Sequence, residues 1–248
     1  MARRNYHHGE LRAALLDAAE ALVRERGADG WSLREASARV GVSSSAAYHH
    51  FASRDALVRA LRQRVLGELG ERLSREVGRT AGPEAGADHQ RRLVAVGRTY
   101  VQWAVEDPSV ARLAFGAGAP ATGDPASGDP ASGPASGPAC DSTSDAATSP
   151  HPHDVLDAEL DRLVEVGGLP AAARPGADFV VWAAVHGLAT LLVDGLARLD
   201  DLRAVAREAE RVVRAVLTGL THEAVPSQGW PTPHSAHTER RTERGADK

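Results

Sequence analysis

The chain has 248 residues, 42% of them hydrophobic, enough for the buried core of one large domain or two small ones. No run of about 18 apolar residues occurs, and the opening Met1-Ala-Arg-Arg-Asn-Tyr-His-His lacks the apolar core of a signal peptide, so no membrane span is expected and a cytoplasmic protein is. The single cysteine, Cys140, leaves no intrachain disulfide or thiolate metal cage to build.

Apolar residues at helical spacing recur along most of the chain and no period-two segment stands out, which predicts an all-α fold. The first helix is expected over about 9–26, with Leu11, Leu15, Ala18 and Leu22 on one face and Gly27 as its stop. Ser32-Leu-Arg-Glu35 has capping-box spacing, so a short second helix should start there and end at Gly41. Ser43 and Ser53 are the expected N-caps of a third and a fourth helix. The fourth is long, with Leu57, Leu61, Val65, Leu69 and Leu73, before Gly82-Pro83. A four-residue repeat drifts around a helix, so this one should serve two different partners along its length.

A fifth helix is expected over about 88–106 (Leu93, Val96, Tyr100, Trp103), and Asp107-Pro108 supplies the cap and first position of a sixth. Thr122-Gly-Asp-Pro-Ala-Ser-Gly-Asp-Pro repeats small, polar and proline residues, so 117–150 is expected to be a disordered insertion. Helical pattern resumes over about 152–166 (Leu156, Leu160, Leu163), 176–199 (Trp182, Val185, Ala189, Leu192, Leu196) and 201–221 (Leu202, Val205, Ala209, Val212, Val216, Leu220). The polar, Pro- and His-rich stretch 223–248 reads as a disordered tail.

Residues 32–57 carry the most chemistry. Two short helices join at Gly41, which can enter the left-handed conformation of a tight turn, and Val42 should point back into the core: the pattern of a helix-turn-helix. Its second helix must approach base edges in the major groove, and Ser43, Ser44, Ser45, Ala46 and Ala47 make its leading end small. Tyr48, His50 and Arg54 follow, with groups that can donate to phosphate. Phe51 is expected to be core. Charge points the same way, because residues 1–80 hold 14 Arg against 10 Asp and Glu while the chain as a whole has a net charge of −4. Four excess cations would otherwise pass for a solvated surface.

With Gly41-Val42-Ser43, Tyr48, His50-Phe51, Arg54 and Leu57 in register, residues 9–57 resemble the DNA-binding domain of the TetR family of bacterial regulators. The resemblance implies that Ser32, Tyr48, His50 and Arg54 grip phosphates and that Arg34, Ser44, Ser45, Ala46 and His49 face the bases. Ser43 would combine capping with a DNA role. Arg3 and Arg4 would lie in an arm along the backbone or minor groove. Ser45 stands where the family usually has Gly, Ala47 where a larger apolar residue is common, and Arg54 where Lys is usual.

Further on, Trp182-Ala-Ala-Val-His186-Gly187, Tyr100-Val-Gln-Trp103 and Asp107-Pro108 with Arg112-Leu-Ala-Phe115-Gly116 resemble a subfamily named for its Trp-His-Gly motif. That resemblance implies an effector cavity among the C-terminal helices and a four-helix dimer interface made by the last two long helices. Tyr100, Trp103, Phe115, Trp182 and His186 are the candidate pocket residues, although aromatics at helical spacing also serve as plain core. His186 lies one turn from Trp182 and reads as a hydrogen-bonded buried histidine rather than a metal ligand.

The expected organisation is a DNA-binding domain at 1–52 and an effector-binding and dimerisation domain at 53–222. The expected function is sequence-specific regulation of transcription: a homodimeric repressor on a palindromic duplex operator, released by a small-molecule effector that tilts the fourth helix. The alternatives are an activator of the same fold or a helical protein-interaction module. No nucleophile–base pair, paired carboxylates, phosphate-cradling glycine loop or metal cluster is recognisable, so neither an enzyme, a cofactor nor a metal site is expected.

Overall fold

The computed structural model describes residues 8–80, 85–115 and 149–222. Among them are nine α-helices and one 3₁₀ turn (Ala171–Ala173), with no strand, as the periodicity predicts. The helices are α1 (His8–Arg26), α2 (Leu33–Val40), α3 (Ser44–His50), α4 (Arg54–Arg79), α5 (Ala85–Glu106), α6 (Pro108–Phe115), α7 (Pro152–Glu165), α8 (Ala177–Val193) and α9 (Leu202–His222).

The predicted caps form. Ser32 Oγ accepts from the Glu35 amide at 3.3 Å while the Ser32 amide donates to Glu35 Oε2 at 2.8 Å, completing the box. Ser43 and Ser53 accept from the Ala46 and Ala56 amides, and Asp107 from that of Val110. Gly41 closes α2 with φ +79, and its amide and that of Val42 donate to the carbonyls of Ala38 and Ser37.

Two cores share α4. Leu57, Leu61 and Val65 pack with Leu11, Leu15, Leu22, Trp31, Leu33, Ala47 and Phe51. Leu69 and Leu73 belong to a second cluster built on α5, α7, α8 and α9. The drifting stripe thus changes partners halfway along, as expected. The first core also takes in Val110, Leu113 and Ala114 of α6, so this packing unit reaches beyond the 1–52 expected for a DNA-binding domain. Arg62 Nε donates to the Leu113 carbonyl at 3.0 Å and Arg24 Nε to Asp107 at 2.6 Å, tying both ends of α6 to the first core. In the second core α5 is central, packed against α4, α6, α7, α8 and α9.

Two boundaries and one buried stripe differ from expectation. α8 ends at Val193 rather than near 199, because Gly195 takes φ +71 and stops it although Leu196 continues the period; that leucine is 76% exposed. The stripe that α9 buries is Val205, Ala209, Val213 and Leu217, while Val212, Val216 and Leu220 flank it half-buried and Leu202 is exposed. The expected insertion also ends earlier than 150: Ser149 donates to Glu71 Oε1 at 2.6 Å, and the Pro150 carbonyl lies so close to Gly70 that a Cβ there would sit 1.7 Å from its oxygen. The rest of that segment and the tail 223–248 lie outside the described residues, as do Arg3 and Arg4.

Candidate nucleic-acid interface and effector cavity

The α2–α3 pair presents its polar side outward. Arg34, Ser43, Ser45, Tyr48 and His49 are exposed, and Ser32, Ser44, Ala46, His50 and Arg54 are half-buried. Tyr48 is 51% exposed and so is not part of the core, whereas Phe51 at 4% is core with the Arg12 guanidinium over its face at 5.2 Å. Ala47, fully buried, seats α3 on the first core. Small size thus serves both sides of this helix. Ser43 to Ala46 keep its outer side slim, and Ala47 lets it sit close to the core below.

Arg54 departs most from its expected surroundings. Its Nε donates to the Trp31 carbonyl at 3.0 Å, a terminal nitrogen donates to the Ala28 carbonyl, and the guanidinium lies 4.7 Å over the Trp31 ring. Asp29 and Asp55 are each 3.8 Å away. This cation therefore closes the loop between α1 and α2, a role that the spacing Arg54 to Leu57 could not reveal.

The five candidate pocket residues meet in one aromatic cluster. Tyr100 and Trp103 come from α5, Phe115 from α6, and Trp182 and His186 from α8. Ring centroids lie 5.0 Å apart for Tyr100–Trp182, 5.6 Å for Phe115–Trp182, 5.2 Å for Phe115–His186 and 6.1 Å for Tyr100–Trp103. Trp182 and His186 stack one turn apart with planes 5° from parallel, and His153 of α7 abuts the tryptophan. The Tyr100 hydroxyl is 2.8 Å from His186 Nδ1, matching the reading of His186 as a hydrogen-bonded histidine.

Beside this cluster, between α5, α6 and α8, opens a cavity of about 190 Å³. Tyr100, Phe115 and His186 line it; Trp103 and Trp182 stand behind them as a second layer. The sequence reading missed Ala104, Ala111, Ala189 and Val193, the small apolar part of the wall, and its polar rim of Arg112, Thr190 and Asp194. Helical arithmetic could have found several: Ala104 follows Tyr100, Ala111 precedes Phe115 and Thr190 follows His186 by one turn. At the rim Arg112 Nε donates to Asp194 at 3.2 Å and another nitrogen donates to the Val193 carbonyl, linking α6 to the end of α8. Burial pushes the Tyr100 hydroxyl pKa up and that of His186 down, so both are neutral at neutral pH.

A family of regulators that reads DNA with a helix-turn-helix is defined by this combination of capped recognition helix and separate helical domain. Residues 15–61 match the family described as "Bacterial regulatory proteins, tetR family", and residues 93–220 match "Tetracyclin repressor-like, C-terminal domain". The chain belongs to the TetR family of transcriptional regulators. It is 32% identical over 95 residues to an HTH-type transcriptional regulator, BetI, of Brucella anthropi, a match covering 38% of this chain and 47% of that protein. Among solved structures it is similar to a Rhodococcus sp. RHA1 protein of unknown function (TM-score 0.58, 26% identity, covering 88% of this chain and 100% of that one). A TetR-family regulator from Pectobacterium atrosepticum shares the fold at 18% identity (TM-score 0.57, covering 87% of this chain and 96% of that one). No described helix is long and apolar enough to cross a membrane, and no group of three His, Cys, Asp or Glu that could hold a metal occurs among the described residues.

Proposed function

We propose that the protein is a dimeric, effector-released repressor that binds a palindromic operator in the cytoplasm. One observation carries this reading: α6 has the aromatic-walled cavity on one side and the core of the helix-turn-helix on the other. Ala111, Arg112 and Phe115 line the cavity, while Val110, Leu113 and Ala114 pack among residues of α1 and α4. A molecule held between α6 and α8 acts on α4 through α6 rather than by touching α4 itself. Two recognition helices then lose their spacing of roughly 34–36 Å, and one half-site alone binds far more weakly than two.

In this reading Arg34, Ser44, Ser45, Ala46 and His49 face bases, while Ser32, Ser43, Tyr48 and His50 hold the backbone together with Arg3 and Arg4 of the arm. The exposure of Tyr48 supports it. Dimerisation is supported by α8, in which Asp178 is the one charged residue although only Ala177, Val181, Val185 and Ala189 are buried. A helix apolar on every side needs cover on every side, and Phe179, Val180 and Leu191 are each more than 40% exposed. The stack of Trp182 on His186 gives the Trp-His-Gly motif a physical purpose, the tryptophan backing a histidine that lines the cavity, consistent with membership of that subfamily.

The test is a fluorescence-anisotropy titration of the full chain against fragments of DNA upstream of its own gene, over 50–300 mM salt. Sequence preference with affinity falling steeply as salt rises is the expected result. Equal affinity for every fragment would overturn the reading.

A further inference from the structure

We propose that the cavity between α5, α6 and α8 takes a compact apolar molecule carrying one carbonyl or carboxylate oxygen, which accepts a hydrogen bond from His186 Nε2–H. This inference rests on the effector-release reading and narrows it to a ligand chemistry.

Size comes first. A cavity of about 190 Å³ is small, and an apolar cavity of ~150 Å³ holds a benzene-sized molecule, so there is room for a single ring with a short substituent. The wall is apolar where the body would lie: the Tyr100 and Phe115 rings, with Ala104, Ala111, Ala189 and Val193 as the small residues that leave the space.

The polar groups determine what the substituent must be. Tyr100 Oη and His186 Nδ1 are 2.8 Å apart, and one must donate. Whichever group donates, the pair keeps one proton that no described residue accepts: the hydroxyl's if Nδ1–H donates, the Nε2 proton if the hydroxyl does. With the hydroxyl donating to Nδ1, the imidazole proton sits on Nε2. That N–H has no hydrogen-bond partner among the described residues, and His186 lines the cavity. The other donors are at the rim, where Arg112 keeps N–H groups beyond the two used on Asp194 and Val193. The cavity is thus supplied with donors.

A cation would be the competing ligand, because aromatic walls with a carboxylate nearby favour one. Here the lining carboxylate, Asp194, is already paired with Arg112 at 3.2 Å. Neutral Tyr100 and His186 offer no negative charge in its place, and a cation would meet the Arg112 guanidinium at the entrance.

Binding is read from tryptophan fluorescence, since Trp103 and Trp182 adjoin the lining rings, and from thermal shift. The probes are acetophenone, benzoate, ethylbenzene and benzyltrimethylammonium at millimolar concentration with the full chain. Acetophenone or benzoate should bind about five- to tenfold more tightly than ethylbenzene, and benzyltrimethylammonium least. Preference for acetophenone over benzoate assigns a neutral carbonyl; the reverse assigns an acid that also meets Arg112. His186→Phe should abolish the preference over ethylbenzene and leave ethylbenzene binding within twofold. Tyr100→Phe, which keeps the ring, should reduce the preference and serves as the readout if His186→Phe does not fold. Tighter binding of the cation, equal binding of ethylbenzene, binding of none, or a preference unchanged in the variants overturns the proposal. A bound carbonyl probe that leaves operator affinity unchanged would instead reject effector release while the ligand chemistry stands.

Discussion

At the scale of single residues, Arg54 and His186 show how neighbours assign a role that residue type leaves open. Arg54 stacks on Trp31 and donates to two backbone carbonyls of the α1–α2 loop. Arg54→Ala should therefore cost about 2–4 kcal/mol in a denaturant titration, from the lost hydrogen bonds and ring contact. The slope of log affinity against log salt should stay unchanged in this variant. A slope shallower by about 0.9 would instead indicate a lost phosphate contact. Arg34, exposed on α2, should behave differently: Arg34→Ala is expected to relax sequence preference, read by competition between the operator and base-substituted duplexes. For His186, burial holds the pKa below its ordinary value of about 6.5, so the unfolded chain takes up the proton first. Its contribution leaves stability intact above about pH 6.5 and erodes it as pH falls below that, levelling off once the folded protein is protonated too. Around it stand Tyr100 on α5, Arg112 on α6, Asp194 after α8 and, across Trp182, His153 on α7. The melting temperature of His186→Phe, which cannot take up that proton, should fall less than that of the parent between pH 7 and 5.5.

Among the elements, α5 and α9 approach most intimately at Gly97. A Cβ built there would lie 2.5 Å from Val213 Cγ2, and Val213 is fully buried. Two effects oppose each other in Gly97→Ala: helix propensity favours alanine by about 1 kcal/mol, and overpacking costs about 1–3 kcal/mol. Because the methyl it strikes belongs to a β-branched side chain with no room to turn, overpacking should win, and the denaturant midpoint should drop. α6 is the other decisive element. At eight residues it would be marginal alone, yet it is anchored by the Asp107 cap, by Arg24 and by Arg62, so displacement at its cavity side is transmitted rather than absorbed.

For the whole molecule, the exposed leucines, valine and phenylalanine of α8 and the following turn decide whether the regulator works as a pair. Leu191→Arg places a charge on a face that the dimer reading needs dry, while a side chain already 45% exposed leaves the monomer's own core untouched. Light scattering should report a monomer at micromolar concentration, with thermal stability close to the parent's and operator affinity lowered at least a hundredfold. A dimer that persists would move the interface elsewhere.

The amino-acid sequence by itself determined what local chemistry determines. The caps at Ser32, Ser43, Ser53 and Asp107, the turn at Gly41 and the apolar stripe of α4 each depend on residues within a few positions of one another, so they could be read in a line. The aromatic candidates were legible as well, because Tyr100, Phe115 and His186 stand in segments that a resemblance could single out. Only the tertiary structure decided that Arg54 faces Trp31 and that Arg112 and Asp194 form the rim of the cavity. Only it decided that α6 belongs to both halves of the molecule. Those pairings join positions 23 and 82 residues apart, and no local periodicity records which distant surface a helix will meet once the chain has folded.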